Sequence, residues 1–187
     1  MTVAAQVLTV CTGNVCRSPA VERLLAAALG DPCVVGSAGT KAVVGAPVDP
    51  PMAGLLADAG VSAAGFASRQ LTADLVRGAG LVLALTREHR AAVVKLVPAA
   101  LRTTFTVREL ARLLTVADLT GLPEDPAARL AELAVRARAA RTLPGGRAQV
   151  ASDDDVVDPY RGDDAKFAQS WAEFAGPVEV IAAALRG

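Results

Sequence analysis

Short apolar runs alternate along the chain with longer segments in which apolar residues recur at every third or fourth position. Val3 to Val10 is one such run, rich in β-branched residues, and predicts a buried strand. A Gly-containing loop follows. Ser18-Pro19 then predicts a helix start, with Ser18 as N-cap and Pro19 in the first helical position, and Gly30 predicts its end. Val21, Leu24, Leu25 and Ala28 supply that helix with an apolar face. Further strands are predicted at Cys33 to Ser37, Leu81 to Leu85 and Leu101 to Phe105. Helices are predicted from Asp49-Pro50-Pro51 to near Gly60, after Thr72 through Val76, from Thr86 to a stop at Pro98, and over Val107 to Leu114.

Strands that alternate with helices pair in parallel through right-handed crossovers. The expected fold is therefore α/β, a three-layer sandwich around a four-stranded parallel sheet. Ligands in such folds sit at the carboxyl ends of the strands, and the loop after the first strand lies there. From about 115 to 150 the pattern changes. Pro123, Pro126, Pro144, Gly145 and Gly146 flank one helical stretch, Ala127 to Arg141, which reads as a helical insertion in a single domain spanning 1–187. Asp153 to Asp155 predict a solvated acidic loop. Asp163 to Arg186 predict a terminal helix with Phe167, Trp171, Phe174 and Val178 on one face, kinked or split at Gly176-Pro177.

Composition narrows the function classes. With 187 residues, 52% of them apolar, the chain can bury a core without disulfides or metals, and at 3% aromatic that core is aliphatic. Acidic and basic residues balance at 19 each without a basic stripe, so no nucleic-acid partner is expected. The first apolar run is too short for a signal peptide or a membrane span, so no membrane partner is expected either. Three cysteines without a secretory signal point to reduced thiols and a cytoplasmic location. The one histidine, His89, reads as a solvated or capping residue, Cys33 as core. No Cys/His spacing fits zinc, so neither metal nor cofactor is expected. Nothing in the sequence sets the oligomeric state.

The chemistry concentrates in Cys11-Thr-Gly-Asn-Val-Cys-Arg17-Ser18-Pro19. A loop between a strand and a helix N-terminus can converge its backbone N–H groups on an oxyanion, with the helix dipole adding positive potential. Gly13 is read as relieving strain where the chain curls, and Asn14 tolerates a left-handed conformation and can brace the loop with its side chain. Arg17 offers a fork of donors to two phosphate oxygens. A cysteine in the same field is a nucleophilic thiolate, and Ser18 can donate its hydroxyl to that sulfur. These residues alone indicate phosphate binding and a reactive thiolate.

The loop resembles that of the low-molecular-weight protein-tyrosine phosphatase family almost letter for letter. Ser37-Ala-Gly-Thr40, Gly45-Ala-Pro-Val-Asp-Pro50, Ser68-Arg-Gln-Leu-Thr72 and Asp158-Pro159-Tyr160 are similar to later family motifs in the same order. The likeness covers roughly Val3 to Leu114 and then Val157 to the C-terminus. It implies a phosphatase that hydrolyses phosphotyrosine in proteins through a phosphocysteine intermediate. Cys11 is then the nucleophile, Arg17 the phosphate clamp and Asp158 the acid and base. On the residues alone, Asp158-Pro159 reads rather as a common turn-forming pair. Thr12, Gly13, Asn14, Val15, Cys16 and Ser18 complete the phosphate cradle, and Tyr160 lines the wall against an aromatic leaving group. Cys16 is either a reversible disulfide partner of Cys11 or a small buried side chain.

Several positions depart from the family pattern. Ala42-Val43-Val44 stands where members often carry a bulky aromatic, Phe66 where they place a histidine that supports the loop, and Arg161 where a second tyrosine follows Tyr160. The network through Asn14, Ser18 and Ser37 is expected to be altered at Phe66. Protein arginine phosphatases, a branch of the same family, have Thr in the loop where this chain has Val15, and an apolar residue there favours phosphotyrosine. An arsenate reductase on the same fold needs resolving cysteines, usually near the third strand, and Leu81 to Arg90 contains none.

Overall fold

The computed structural model describes residues 5–31, 33–148 and 150–186; Val3 and Ala4, the start of the first predicted strand, lie outside them. Four strands, β1 (Ala5–Cys11), β2 (Cys33–Gly39), β3 (Leu81–Ala84) and β4 (Thr104–Thr106), form one sheet in the order β2-β1-β3-β4. All three pairings are parallel. The helices are α1 (Arg17–Leu29), α2 (Pro50–Asp58), α3 (Ala73–Gly78), α4 (Arg87–Leu96), α5 (Val107–Val116), α6 (Pro126–Ala140) and α7 (Asp164–Arg186).

Strand alternation sorts side chains to two cores. Val7, Cys11, Leu81, Leu83 and Phe105 face the larger one, with buried residues of α1, α2, α5, α6 and α7. Leu8, Val10 and Val82 face the smaller one, with Val76 of α3 and Val93 of α4. The strand order reverses at β1, which leaves a crevice beyond the carboxyl ends of β1 and β3, the usual ligand position in such sheets. Leu130, Leu133, Ala134, Ala137 and Ala140 of α6 are buried in the larger core, so this helix is part of the main packing.

Four sequence expectations need correction. Ser18 does not cap α1. Cys16 occupies the cap position without a side-chain bond to the helix, and the Ser18 hydroxyl is drawn instead to the Cys11 sulfur at 2.9 Å. The fourth strand is shorter than expected. Pro98 starts a tight 3-10 turn through Arg102 that consumes Leu101, and Thr104 Oγ1 ties back to the Ala100 carbonyl at 2.7 Å. α7 runs unbroken through Pro177, because Phe167, Phe174, Val178 and Ile181 on both sides of it dock on the same core. The acidic run is bound to the protein: Asp154 pairs with Arg112 of α5, and Asp155 with the backbone and side chain of Arg87 at the start of α4.

Candidate active site

The loop from Cys11 to Ser18 is held from outside by its carbonyls. Those of Cys11, Thr12, Gly13 and Val15 accept the backbone N–H groups of Thr40, Lys41, Val43 and Asp49 at 2.8 to 3.0 Å. The amides of Gly13, Val15 and Cys16 donate to no acceptor among the described residues. They are available to an oxyanion, as amides before a helix N-terminus commonly are. Close approach of the supporting segment requires Gly39, where a Cβ would lie 2.5 Å from the Thr12 carbonyl oxygen.

The left-handed turn falls on Asn14, with φ 55°, as its side chain permits. Gly13 has no positive φ and a Cβ there would make only ordinary contact, which corrects the expectation that it absorbs the strain. The Asn14 side chain is fully buried and fully bonded. Its Oδ1 accepts the Arg69 N–H at 2.8 Å, and its Nδ2 donates to Ser18 Oγ at 3.0 Å and Ser37 Oγ at 2.8 Å. The Asn14 N–H lies 3.3 Å from the Cys11 sulfur. The loop network expected to change at Phe66 therefore survives. Phe66 instead packs under the Arg23 guanidinium, 5.7 Å from the ring centre.

Cys11, Thr12, Gly13, Val15, Cys16, Arg17, Lys41, Val43, Asp158 and Tyr160 line one cavity of about 140 Å³. Asn14 and Ser18 brace it from behind. Arg17 is nearly inaccessible, donates to the Val156 carbonyl at 3.0 Å and touches the Asp158 carboxylate at 2.6 Å. Its Nε has no partner among the described residues. A buried guanidinium donor left unpaired is costly, and an oxyanion in the cavity would satisfy it.

Asp158 reaches the cavity because its loop is strapped to the scaffold. Val156 N–H bonds the Leu85 carbonyl just beyond β3 at 2.8 Å, while Val157 is held by Glu173 and Ser170 of α7. The Asp158 side chain is half exposed, and its Oδ1 accepts the Tyr160 N–H at 3.2 Å. Tyr160 stands half exposed on the rim, with the Arg161 guanidinium 5.3 Å from its ring centre. Of the altered positions, Val43 reaches the cavity wall and Val44 points to solvent.

Cys16 is buried, with its thiol 3.5 Å from Asp49 Oδ2; burial and that carboxylate push the thiol well above its ordinary pKa. Cys16 therefore stays a protonated thiol near neutral pH. His89 is not solvated, although it does join the cap of α4, where its N–H donates to Thr86 Oγ1 at 3.2 Å. The ring is buried, with Nε2 at 2.9 Å from Thr12 Oγ1 and Nδ1 at 3.0 Å from Thr86 Oγ1. Burial and Arg17 push its pKa down to about 4, so the imidazole that supports the loop is neutral. Two signals could have revealed the missed residues. Thr86 and His89 have helix-cap spacing after a buried strand. Glu22, which accepts a hydrogen bond from Ser37, follows Ser18 by one helical turn.

Residues 6–129 match the family model described as low molecular weight phosphotyrosine protein phosphatase. The protein-tyrosine-phosphatase Etp of Escherichia coli K12 is 47% identical over 93 residues, which is 49% of this chain and 62% of Etp. The probable tyrosine phosphatase AmsI of Erwinia amylovora is 43% identical over 83 residues, 44% of this chain and 57% of AmsI. The matched stretches thus span less than two thirds of these relatives' length. Among solved structures, Erwinia amylovora AmsI superposes with a TM-score of 0.68 at 24% identity, covering 95% of this chain and 90% of AmsI. The YwlE arginine phosphatase of Geobacillus stearothermophilus gives 0.68 at 24% over 96% and 91%. Vibrio vulnificus Wzb in complex with benzylphosphonate gives 0.68 at 23% over 96% and 97%. With two thirds of its length inside the family model and the fold shared almost throughout, the chain belongs to the low molecular weight phosphotyrosine protein phosphatase family.

Proposed function

We propose that this protein is a cysteine-dependent phosphatase that hydrolyses phosphotyrosine in protein substrates. The observation that carries the reading is the meeting of Cys11, Arg17 and Asp158 at one small cavity, from opposite ends of the sequence. The Cys11 thiolate attacks phosphorus and the bond to the leaving oxygen breaks. Asp158, protonated at that stage, gives its proton to that oxygen. Asp158, now a carboxylate, takes a proton from water, the water attacks phosphorus, the P–S bond breaks and phosphate leaves. Arg17 and the free loop amides stabilise the charge on the equatorial oxygens throughout. Sulfate in Escherichia coli K30 Wzb and benzylphosphonate in Vibrio vulnificus Wzb are in keeping with an oxyanion here. A thiolate enzyme also suits the reducing cytoplasm, where we place it. Among the described residues no helix is long and apolar enough to cross a membrane. We take the chain as one phosphatase domain and the stretch from about 115 to 150 as a helical insertion whose apolar face has joined the core.

Hydrolysis of an aryl phosphate by wild type, Cys11→Ser and Asp158→Asn tests this. The serine variant should be inactive and the asparagine variant slowed by about 10²–10⁴. Activity retained in Cys11→Ser would remove the mechanism. The shared fold with YwlE makes phosphoarginine the competing substrate. Val15 in the cavity lining favours phosphotyrosine, and a peptide panel carrying each group distinguishes the two.

A further inference from the structure

Ser170 lies in the interior of α7 and is fully buried. A serine in such a place often bonds the carbonyl one turn back along its own helix. Its hydroxyl instead donates across to the Val157 carbonyl at 3.0 Å. Nearly one turn further on, Glu173 Oε2 accepts the Val157 N–H at 2.8 Å, and Gln169 Nε2 steadies the other carboxylate oxygen at 3.0 Å. Two side chains on one face of α7 thus take both backbone groups of the residue that precedes Asp158.

Beyond Val157 the backbone among the described residues bonds only within the loop until α7 starts at Asp164. The Tyr160 N–H goes to Asp158 itself, and the Gly162 N–H to the Pro159 carbonyl. Pro159 is buried but has no N–H to contribute. The Val157–Asp158 peptide is planar, so the bond from Ser170 to its carbonyl also fixes the direction in which the Asp158 Cα leaves. The ion pair with Arg17 holds the Asp158 side chain only while that side chain is a carboxylate and the guanidinium is free. In the attack step of the proposed mechanism Asp158 is protonated and Arg17 carries the phosphate. That hold is then absent, and the backbone aims the acid.

We infer that Ser170, together with Glu173, is a positioning residue for the general acid: the pair fixes the Val157 peptide from which Asp158 reaches the leaving oxygen. The inference rests on the proposed phosphatase reading, in which Asp158 gives its proton to that oxygen. Neither Ser170 nor Glu173 lines the cavity of Cys11. Loss of either bond widens the range of positions open to Asp158. Proton transfer then suffers, while the phosphate cradle and the nucleophile keep their own contacts.

The experiment is kcat/KM for two aryl phosphates that differ in their need for the acid. Phenyl phosphate must have its leaving oxygen protonated, whereas 2,4-dinitrophenolate leaves without help. Ser170→Ala and Glu173→Ala should each slow phenyl phosphate by about tenfold, the order expected when a bond that places the acid is lost. The dinitrophenyl ester should be slowed by less than about twofold. Glu173→Gln keeps an oxygen for the Val157 N–H and should stay within about twofold of wild type on both substrates. In an Asp158→Asn background, which has no acid to aim, Ser170→Ala should cost nothing further. Equal losses on the two substrates, which a folding defect would produce, overturn the positioning role. The same loss with and without the Asp158 acid overturns it too. Failure of the wild type to turn over either aryl phosphate would instead remove the phosphatase reading, and this role with it.

Discussion

The carboxylate of Asp158 lies 2.6 Å from the guanidinium of Arg17 in a cavity that the unpaired backbone amides of the loop also border. In the proposed mechanism Asp158 thus occupies the guanidinium that the phosphate would use. An incoming oxyanion must displace it, and the two negative charges then repel each other at close range. Asp158→Asn should therefore bind phosphate more tightly than wild type while turning over far more slowly. Competitive inhibition by phosphate, measured beside kcat, checks this. Unchanged inhibition in the asparagine variant would show that the carboxylate exerts no such repulsion.

Arg17 makes two contacts, to Val156 and to Asp158, and its Nε has no partner among the described residues. A lysine keeps the charge but not the fork. Arg17→Lys should lower kcat/KM by about 10²–10³, in the range expected when a preorganised oxyanion donor is lost. It should also loosen the Asp158 loop, because the Val156 carbonyl loses its partner. Limited proteolysis between Val150 and Lys166 should accelerate in the variant. A fall in kcat/KM of less than tenfold would contradict the assigned role.

His89 sets a pH dependence of stability. Its folded pKa is held near 4, below the ordinary value of 6.5, first by burial and then by Arg17. As pH falls between those values the unfolded chain takes up a proton that the folded protein refuses, so stability drops across that window and levels off below it. The size is on the order of 3 kcal/mol. In His89→Gln this component of the acid sensitivity should disappear. Denaturant unfolding at pH 7 and pH 4.5 for both proteins measures the difference. Equal acid sensitivity in the two would show that His89 does not carry it.

Much of the fold was legible because the deciding signals were local. Thr72 and Thr86 cap their helices through side-chain oxygens, and Pro50 stands in the first turn of α2, as the sequence suggested. The Cys11 to Ser18 loop was legible for the same reason. What was missed depends on contacts between distant segments. Ser18 looked like a cap because the pull of the Cys11 sulfur on its hydroxyl is a tertiary effect. His89 looked solvated because its burial against Thr12 arises only once β1 and β3 lie side by side. The aspartates before Asp158 looked solvated because Arg87 and Arg112 come from separate helices.

Cys16 leads to a prediction about oxidation. It lines the same cavity as Cys11, but burial, followed by the charge and hydrogen bond of Asp49, keeps it protonated. Peroxide oxidises the Cys11 thiolate to a sulfenic acid with release of hydroxide, which the solvent protonates to water. Disulfide formation then requires Cys16 to attack as a thiolate, lose its proton and expel hydroxide, which together make a second water. The first step should be fast and the second slow near pH 7. A Cys11–Cys16 link should accumulate faster at pH 9, and faster in Asp49→Asn, where one carboxylate no longer disfavours the thiolate. Mass spectrometry of peroxide-treated protein over time, at both pH values and in both proteins, reads the link directly. Sulfinic acid at Cys11 without any link, under all these conditions, would reduce Cys16 to a small buried side chain.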